Sequence, residues 1–100
     1  MILYNVTVSV EDSIHDEWLE WMKYKHIPDV IATGLFTEYK FFRIMPESPE
    51  EKTYSIQYFL NSMDDYKKYC DKYASDLQAE HTRKFRDKFV AFRTLLESVE

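Results

Sequence analysis

Glycine is almost absent from this sequence, since Gly34 is the only one in 100 residues. P-loops and GxGxxG dinucleotide fingerprints each need several glycines at fixed spacing. Both motifs are therefore excluded, and we do not expect a nucleotide held by either of them. Proline is scarce too, with three residues, so few positions are barred from regular structure. Most of the chain should lie in helices and strands.

Cysteine and histidine are also rare. The single cysteine, Cys70, excludes an internal disulfide framework and a cysteine-rich zinc site. The histidines His15, His26 and His81 form no HxH or HxxxH pair, so neither a metal site nor a cofactor is predicted. A lone free thiol fits a reducing compartment, and we expect a cytoplasmic protein.

Long apolar runs and an excess of positive charge are missing as well. No stretch approaches the roughly 18 apolar residues that span a membrane, and the N-terminus lacks the basic region and apolar run of a signal peptide. The formal net charge is −5, whereas phosphate neutralisation requires a basic surface. Neither a membrane nor a nucleic acid is expected as a partner.

Apolar and aromatic residues, by contrast, are abundant, at 45% and 17% of the chain. That content lies far from the composition of disordered sequences. A chain of this length holds one hydrophobic core. We predict a single domain over residues 1–100.

Side-chain alternation predicts four strands. A period of two among β-branched and aromatic residues indicates a strand. The segments with this pattern are residues 2–10, 35–45, 53–60 and 89–99. A charged loop over residues 46–52 joins the second and third segments as a hairpin.

Two helical stretches separate these strands. The first carries an apolar stripe at helical spacing and closes at Gly34. Pro28 should end this helix or start a short second turn. The second stretch begins after Ser62, which we expect to cap it, and continues as a further helical piece over residues 78–87.

The order βαββαβ with right-handed crossovers predicts an α+β, ferredoxin-like fold, in which a four-stranded antiparallel sheet has both helices on one face. We predict that the helices cover Val6, Val8, Ile56, Tyr58, Val90 and Phe92. We predict that the opposite face carries Leu3, Asn5, Thr7, Tyr39, Phe41, Arg43, Ser55, Gln57, Phe59, Phe89, Ala91, Arg93 and Leu95. An open face this aromatic is unusual on a monomer. We therefore expect a second copy to cover it, in a homodimeric α/β barrel.

Three segments are similar to a known family. They are HIPDVIATGLF at residues 26–36, LQAEHTRKF at residues 77–85 and FVAFRTLLE at residues 89–97. They resemble an uncharacterised bacterial family, a domain of unknown function within the dimeric α/β barrel superfamily. The resemblance spans nearly the whole chain and implies that fold. It implies no activity, because one architecture serves proteins of many functions.

Five polar residues are predicted to line a ligand cavity between the sheet and the helices: Asn5, Arg43, Gln57, His81 and Arg93. A buried guanidinium needs a carboxylate partner or an anionic ligand. Arg43 and Arg93 are therefore either ion-paired at an interface or bind an acid. His81 would continue the buried stripe of the second helix, either as a core residue or as an acid–base group.

His26 is a secondary candidate. It falls at the C-terminal end of the first predicted helix, where the helix dipole favours a protonated imidazole. Asn5 has a precedent by resemblance, because haem-degrading barrels of the superfamily pair a strand-one asparagine with a helical histidine and a pocket tryptophan. Asn5 and His81 match that pattern. Trp18 and Trp21 depart from it, since both lie in the core stripe of the first helix.

The sequence therefore predicts a small-molecule-binding homodimer whose ligand is a small organic acid. Its catalytic form would be a cofactor-independent monooxygenase or isomerase, and the residues leave open whether the protein is an enzyme. One alternative is a non-catalytic protein-interaction module that uses the outer helices or the acidic loop at residues 47–51. A lesser alternative binds or degrades haem. A cavity of roughly 300 Å³ or more would favour a ligand, and a packed seam would favour the interaction module.

Overall fold

The alternating segments form one antiparallel sheet in the computed structural model, which describes residues 1–46 and 48–100. Each neighbouring pair of strands is antiparallel. In the spatial order β2-β3-β1-β4, the strands are β1 (Ile2–Glu11), β2 (Glu38–Arg43), β3 (Glu51–Leu60) and β4 (Phe89–Glu97). The predicted βαββαβ order and ferredoxin-like fold are confirmed. Glu47, the first residue of the predicted acidic loop, lies outside the described residues.

Two helical stretches cover one face of the sheet, and a wider π-helical turn interrupts each of them. The first comprises a 3₁₀ turn (Asp12–Ile14), α1 (His15–Trp21), a π turn (Met22–His26) and α2 (Ile27–Ile31). The second comprises α3 (Met63–Tyr69), a π turn (Cys70–Ala74) and α4 (Ser75–Lys84). Turns of this kind are rare and often lie at functional sites.

The local sequence explains where these helices begin and end. Pro28 lies in the first turn of α2, where its missing N–H costs least, and so it starts a second helical segment. Gly34 has a φ of 80°, the left-handed conformation expected at the close of a helix. The Ser62 Oγ accepts a hydrogen bond from the backbone N–H of Asp65 at 3.3 Å and caps α3. The predicted helical piece over residues 78–87 ends earlier, at Lys84.

The core lies between the helical layer and alternate residues of β1 and β3. Each large apolar side chain that is fully buried contributes about 1.5–3 kcal/mol to stability. Tyr4 stands among aromatic rings, with centroid distances of 6.0 Å to Tyr58 and 5.8 Å to Tyr69. The largest fully buried side chains are Trp18, Phe85, Ile27, Ile56, Leu60, Val10 and Val30.

The faces predicted for β2 and β4 are wrong by one residue. Residues that pair directly across an antiparallel ladder point to the same face. In β2 the helix-facing residues are Tyr39, Phe41 and Arg43, opposite Tyr58, Ile56 and Tyr54. In β4 they are Phe89, Ala91, Arg93 and Leu95, opposite Val10, Val8, Val6 and Tyr4.

Val90 and Phe92, which were predicted to be core residues, instead lie on the open face of the sheet and are 69% and 60% exposed. Both faces of β4 carry apolar residues, so alternation identifies the strand without saying which face is inside. A shift of one residue inverts every side chain of a strand. The register of pairing with β1 sets which side chains of β4 face the helices, and the register of pairing with β3 does the same for β2.

Candidate functional site

A cleft lies between the helix-facing side of the sheet and the two helical stretches. Its cavity volume is about 30 Å³, which is room for about two water molecules. The polar residues that line the cleft are Tyr4 on β1, His26 in the first π turn, Tyr69 on α3, Gln78 and His81 on α4, and Arg93 on β4.

The short side chain of Ala91 explains where the cleft forms. Ala91 faces the helices between Phe89 and Arg93, opposite Val8 of β1. Larger side chains on either side leave a gap above this methyl group. Arg93 is the exposed member of the lining, so the cleft opens to solvent along β4.

His81 is held in one orientation by a tryptophan. The Trp18 indole Nε1–H donates a hydrogen bond to His81 Nε2 at 2.9 Å, and both residues are buried. Because an indole nitrogen can only donate, Nε2 is unprotonated and the neutral ring carries its proton on Nδ1. Burial lowers the pKa of His81 to about 4, with further lowering by His26 and Arg93. His81 is therefore neutral near pH 7.

His26 faces His81 across the cleft. Its ring stacks on Trp21 at a centroid distance of 5.2 Å and meets the His81 ring edge-on at 5.7 Å. Burial lowers the pKa of His26 to about 4, although the Asp29 carboxylate opposes that effect. Its Nδ1 is buried and has no hydrogen-bond partner among the described residues. A buried ring nitrogen without a partner is costly, and in native proteins its partner is an ordered water or a bound ligand.

Arg93 supplies positive charge at the mouth of the cleft. Its guanidinium interacts with the Tyr4 hydroxyl and lowers the pKa of that phenol, while burial has the larger effect and raises it. Across residues 1–46 and 48–100, no ion pair joins Arg93 to a carboxylate of its own chain. None of the lining residues is acidic. The cleft is thus positively charged within a chain of net charge −5.

Asn5 and Gln57 do not line this cleft, and their predicted place beside His81 and Arg93 is wrong. They pair directly with each other across the β1–β3 ladder. Adjacent residues of a strand point to opposite faces of the sheet. Since Tyr4 faces the helices, Asn5 and its partner Gln57 lie on the open face. Ser55 Oγ donates to Asn5 Oδ1 at 2.6 Å, and Asn5 Nδ2 donates to Thr7 Oγ1 at 3.0 Å. Gln57 Nε2 donates to Ser55 Oγ at 3.4 Å. These four residues form a polar ladder whose members bond one another.

Arg43 lies on the helix-facing side of β2, away from the cleft. Its Nε donates to the Tyr54 hydroxyl at 3.4 Å, and its guanidinium lies 5.7 Å from the centre of that ring. His15 shares the same hydroxyl at 2.5 Å and stacks on the ring. His15 is half-buried at this position. Of the five predicted site residues, the structure brings only His81 and Arg93 together, and the secondary candidate His26 joins them.

Sequence reasoning missed Tyr4, Gln78 and Trp18 as parts of the site. Trp18 and His81 were both predicted to lie in buried helical stripes. A buried indole N–H and a buried imidazole each need a partner, so the two could have been matched. Gln78 offers no such signal, because only the packing of α4 against the sheet turns it to the cleft.

In the described part of the chain, no three histidine, cysteine or acidic side chains come together as a metal site. Within the same ranges, every helix is too short or too polar to cross a lipid bilayer.

Residues 1–99 match the family described as a domain of unknown function, DUF4286. No curated protein matches the chain. Among solved structures, a dimeric ferredoxin-like protein from an uncultured marine organism is similar, with a TM-score of 0.72 at 10% identity over 100% of this chain and 96% of the other.

An antibiotic biosynthesis monooxygenase is also similar in structure, with a TM-score of 0.68 at 12% identity and full coverage of both chains, 100% each. A mutant of MhuD with two manganese protoporphyrin IX molecules bound per active site has a TM-score of 0.64 at 14% identity over 100% of this chain and 96% of the other. At these identities the likeness establishes a shared fold, and function does not follow from fold.

Proposed function

The chain belongs to the DUF4286 family, whose function is unknown, and we propose that it binds a small organic acid in the cleft between its sheet and its helices. One observation carries the proposal. Among the residues that the structure describes, the cleft gathers an arginine without a carboxylate partner and two neutral imidazoles, and His26 Nδ1 has no hydrogen bond to any of them. Polar groups that converge in an apolar pocket are the usual mark of a ligand site.

The charge of the cleft supports an acid as ligand. Arg93 is the formal charge in the lining, and a guanidinium binds a carboxylate through two parallel hydrogen bonds. The Tyr4 hydroxyl beside it can donate a third. The cleft is small, at about 30 Å³, so it admits a small acid or one group of a larger one.

Binding can be tested by native mass spectrometry on protein purified gently from its own cells. We expect a discrete added mass on the wild-type protein, and we expect it to be lost in Arg93→Gln, which keeps a polar side chain but removes the charge. Arg86→Gln is the matched control, because Arg86 is exposed and lies outside the cleft. An added mass that survives in Arg93→Gln would place the ligand elsewhere.

A catalytic form of the proposal is a cofactor-independent oxygenation or isomerisation. A neutral imidazole beside a bound acid can accept a proton from it. His26 is better suited than His81 to this role, since its Nδ1 is unbonded. Turnover of the ligand identified by mass would separate an enzyme from a binding protein.

We further propose that the protein is a homodimer that pairs its open sheet faces. That face surrounds its polar ladder with exposed apolar side chains, namely Phe42, Val90, Phe92 and Leu96. A patch of this kind normally marks an interface, and the structural neighbour from the marine organism is described as dimeric. A cytoplasmic location is proposed with it, since Cys70 is an exposed free thiol.

The dimer can be tested with Phe92→Glu, which would bury an unpaired charge at the interface. The cost of such a charge, about 3 kcal/mol or more, raises the dimer dissociation constant by about 100-fold or more. Thr82→Glu, on the exposed surface of α4, is the control. Light scattering across a dilution series should find Phe92→Glu monomeric where the wild type and the control are dimeric. A wild type that is monomeric throughout would remove this proposal.

A protein-interaction module remains the second candidate, because the enclosed cavity is far below the roughly 300 Å³ expected of a drug-sized ligand site. In that case the cleft is a packed seam with trapped water, and the outer helices or the loop at residues 47–51 bind a protein. A wild-type protein that carries no added mass in native mass spectrometry would favour this candidate.

Haem does not fit the cleft. The enclosed volume is far smaller than a porphyrin, and His81 Nε2 already accepts the Trp18 hydrogen bond. Asn5, the proposed partner of His81 by resemblance, lies on the other side of the sheet.

A further inference from the structure

We infer that the ligand of the cleft is a short monocarboxylate, of about three carbons or fewer, and that Ala91 sets this size limit. The carboxylate pairs with Arg93, and the alkyl group fills the space above Ala91. This inference rests on the proposed function and adds the class of ligand. Three features of the cleft carry it: a single positive charge, apolar walls and a small volume.

Arg93 supplies the positive charge, and it has room for one carboxylate. Among the described residues that line the cleft, none is acidic and both imidazoles are neutral near pH 7. Burial has the largest effect on the pKa values of His26 and His81, and the charge of Arg93 lowers both further. The guanidinium also interacts with the Tyr4 hydroxyl. It therefore lies close to the cleft, where it can hold a carboxylate through two parallel hydrogen bonds.

The walls of the cleft are mostly apolar. Sheet and helices together contribute six aliphatic or thioether side chains, namely Val6, Val8, Met22, Val30, Ile56 and Ala91. A second carboxylate placed against these side chains would be buried without a partner, which is costly. An alkyl group instead gains by leaving water, about fourfold in affinity for each methylene. The alkyl end of the ligand therefore points inward, and the carboxylate stays at Arg93.

Two packed rings limit how far a ligand can enter. His26 and His81 meet edge-on at a centroid distance of 5.7 Å, and the Trp18 hydrogen bond holds His81 in place. An alkyl chain cannot pass between rings in contact. The cavity that they line has a volume of about 30 Å³, which is room for about two carbon groups the size of a water molecule. Propionate has two carbons beyond its carboxylate, and a longer chain does not fit.

Ala91 is the residue that keeps this space open. It pairs with Val8 of β1, and both side chains line the cleft. The next helix-facing residues of β4 on either side, Phe89 and Arg93, are much larger. A longer side chain at position 91 would occupy the volume that the alkyl group needs. A shorter side chain at position 8, directly across the ladder, would enlarge that volume.

The test is a series of carboxylates titrated into the full-length protein at pH 7, in a buffer free of other carboxylates. The probes are formate, acetate, propionate, pentanoate and malonate, and NMR gives their dissociation constants. From formate to propionate we expect the affinity to rise about fourfold with each carbon. Pentanoate should bind about tenfold more weakly than propionate, or weaker still, because its chain exceeds the cavity.

Malonate tests the apolar interior. It has a second carboxylate where propionate has its methyl group, so it should bind about tenfold more weakly than propionate, or weaker still. Simple attraction to a guanidinium would favour the doubly charged malonate instead. The comparison of these two acids therefore separates insertion into the cleft from adventitious pairing with an exposed arginine.

Two substitutions at one cross-strand pair should move the size limit in opposite directions. Ala91→Leu fills the space and should weaken propionate binding about tenfold or more, whereas Val8→Ala should let pentanoate bind at least as tightly as propionate. Ala32→Leu, at an exposed position outside the cleft, is the matched control and should keep the wild-type affinities. Arg93→Gln should weaken every probe by a similar factor. If one member of the pair does not fold, the other still tests the limit.

The outcomes separate this inference from the function on which it rests. Affinity that keeps rising through pentanoate, with every acid sensitive to Arg93→Gln, overturns the size limit and leaves acid binding intact. A folded Ala91→Leu variant that binds propionate like the wild type overturns the role of Ala91. Malonate binding as tight as that of propionate overturns the inward alkyl group. If the wild type binds none of the five probes, both the inference and acid binding are overturned.

Discussion

The two faces of the sheet are both rich in polar side chains, yet they use them differently. On the open face, Asn5, Ser55, Thr7 and Gln57 bond one another, so the ladder needs nothing from outside the chain. On the helix-covered face, polar groups converge on a cleft, where His26 Nδ1 has no hydrogen bond and Arg93 no carboxylate partner among the described residues. The comparison teaches that the two faces differ in whether their polar atoms are paired, and not in whether polar residues are present.

Lowering the pH should reduce the stability of the protein mainly through groups on the helix-covered face. This is the largest effect we expect. His26 and His81 have native pKa values of about 4 against an ordinary value of 6.5. Between those values the unfolded chain takes up protons that the folded chain refuses. Stability is therefore fully present above about pH 6.5 and falls as the pH drops towards 4, by several kcal/mol for the two histidines together. Urea unfolding at a series of pH values measures this slope.

The control for the pH profile is the variant His26→Phe with His81→Leu, which should flatten it. The charged groups that face His26 are Asp29, Lys25 and Arg93, and they are unchanged in this variant. An open-face variant such as Asn5→Ala should keep the wild-type slope. A wild-type profile that is flat between pH 6.5 and 4.5 would contradict the neutral, buried state of the two rings.

Trp18→Phe should remove the support of His81 in the cleft. We expect a loss of stability that is intermediate between the other two effects. It removes the N–H that His81 Nε2 accepts and leaves a buried acceptor unpaired beside a small void. The expected loss is about 2–3 kcal/mol in the free energy of unfolding. Trp21→Phe is the matched control, because Trp21 is only partly buried, and it should cost about 1 kcal/mol. Similar losses in both variants would mean that the Trp18–His81 bond adds nothing beyond packing.

Asn5→Ala should have the smallest effect on stability. It is also the most direct test of whether the two faces of the sheet act independently. It removes two hydrogen bonds from the half-buried ladder on the open face, at a cost of about 1 kcal/mol. Because the sheet separates Asn5 from the cleft, the affinity for an acid should not change. Loss of acid binding in this variant, measured by the same NMR titration, would return Asn5 to the site where the sequence predicted it.

Parts of the site could be predicted from residue type alone. His81 was identified because a histidine in an apolar helical stripe is either paired in the core or functional, and Arg93 because a guanidinium in an apolar strand needs an anion. Asn5 and Gln57 were predicted on the correct face of the sheet, but they were also assigned to a cleft that lies on the other face. A polar residue on a central strand can bond its cross-strand neighbour, and the chain does not reveal that neighbour until strands are paired.

By itself the sequence determined the order of strands and helices, and with it the ferredoxin-like fold, because side-chain periodicity is local and each buried face is apolar over a whole element. Only the tertiary structure decided which faces of β2 and β4 turn inward. Each is an edge strand that pairs with a single neighbour, so that pairing alone sets its register. It also decided the site, since Trp18, His26, His81 and Arg93 lie on four separate elements and meet only when the helical layer packs on the sheet.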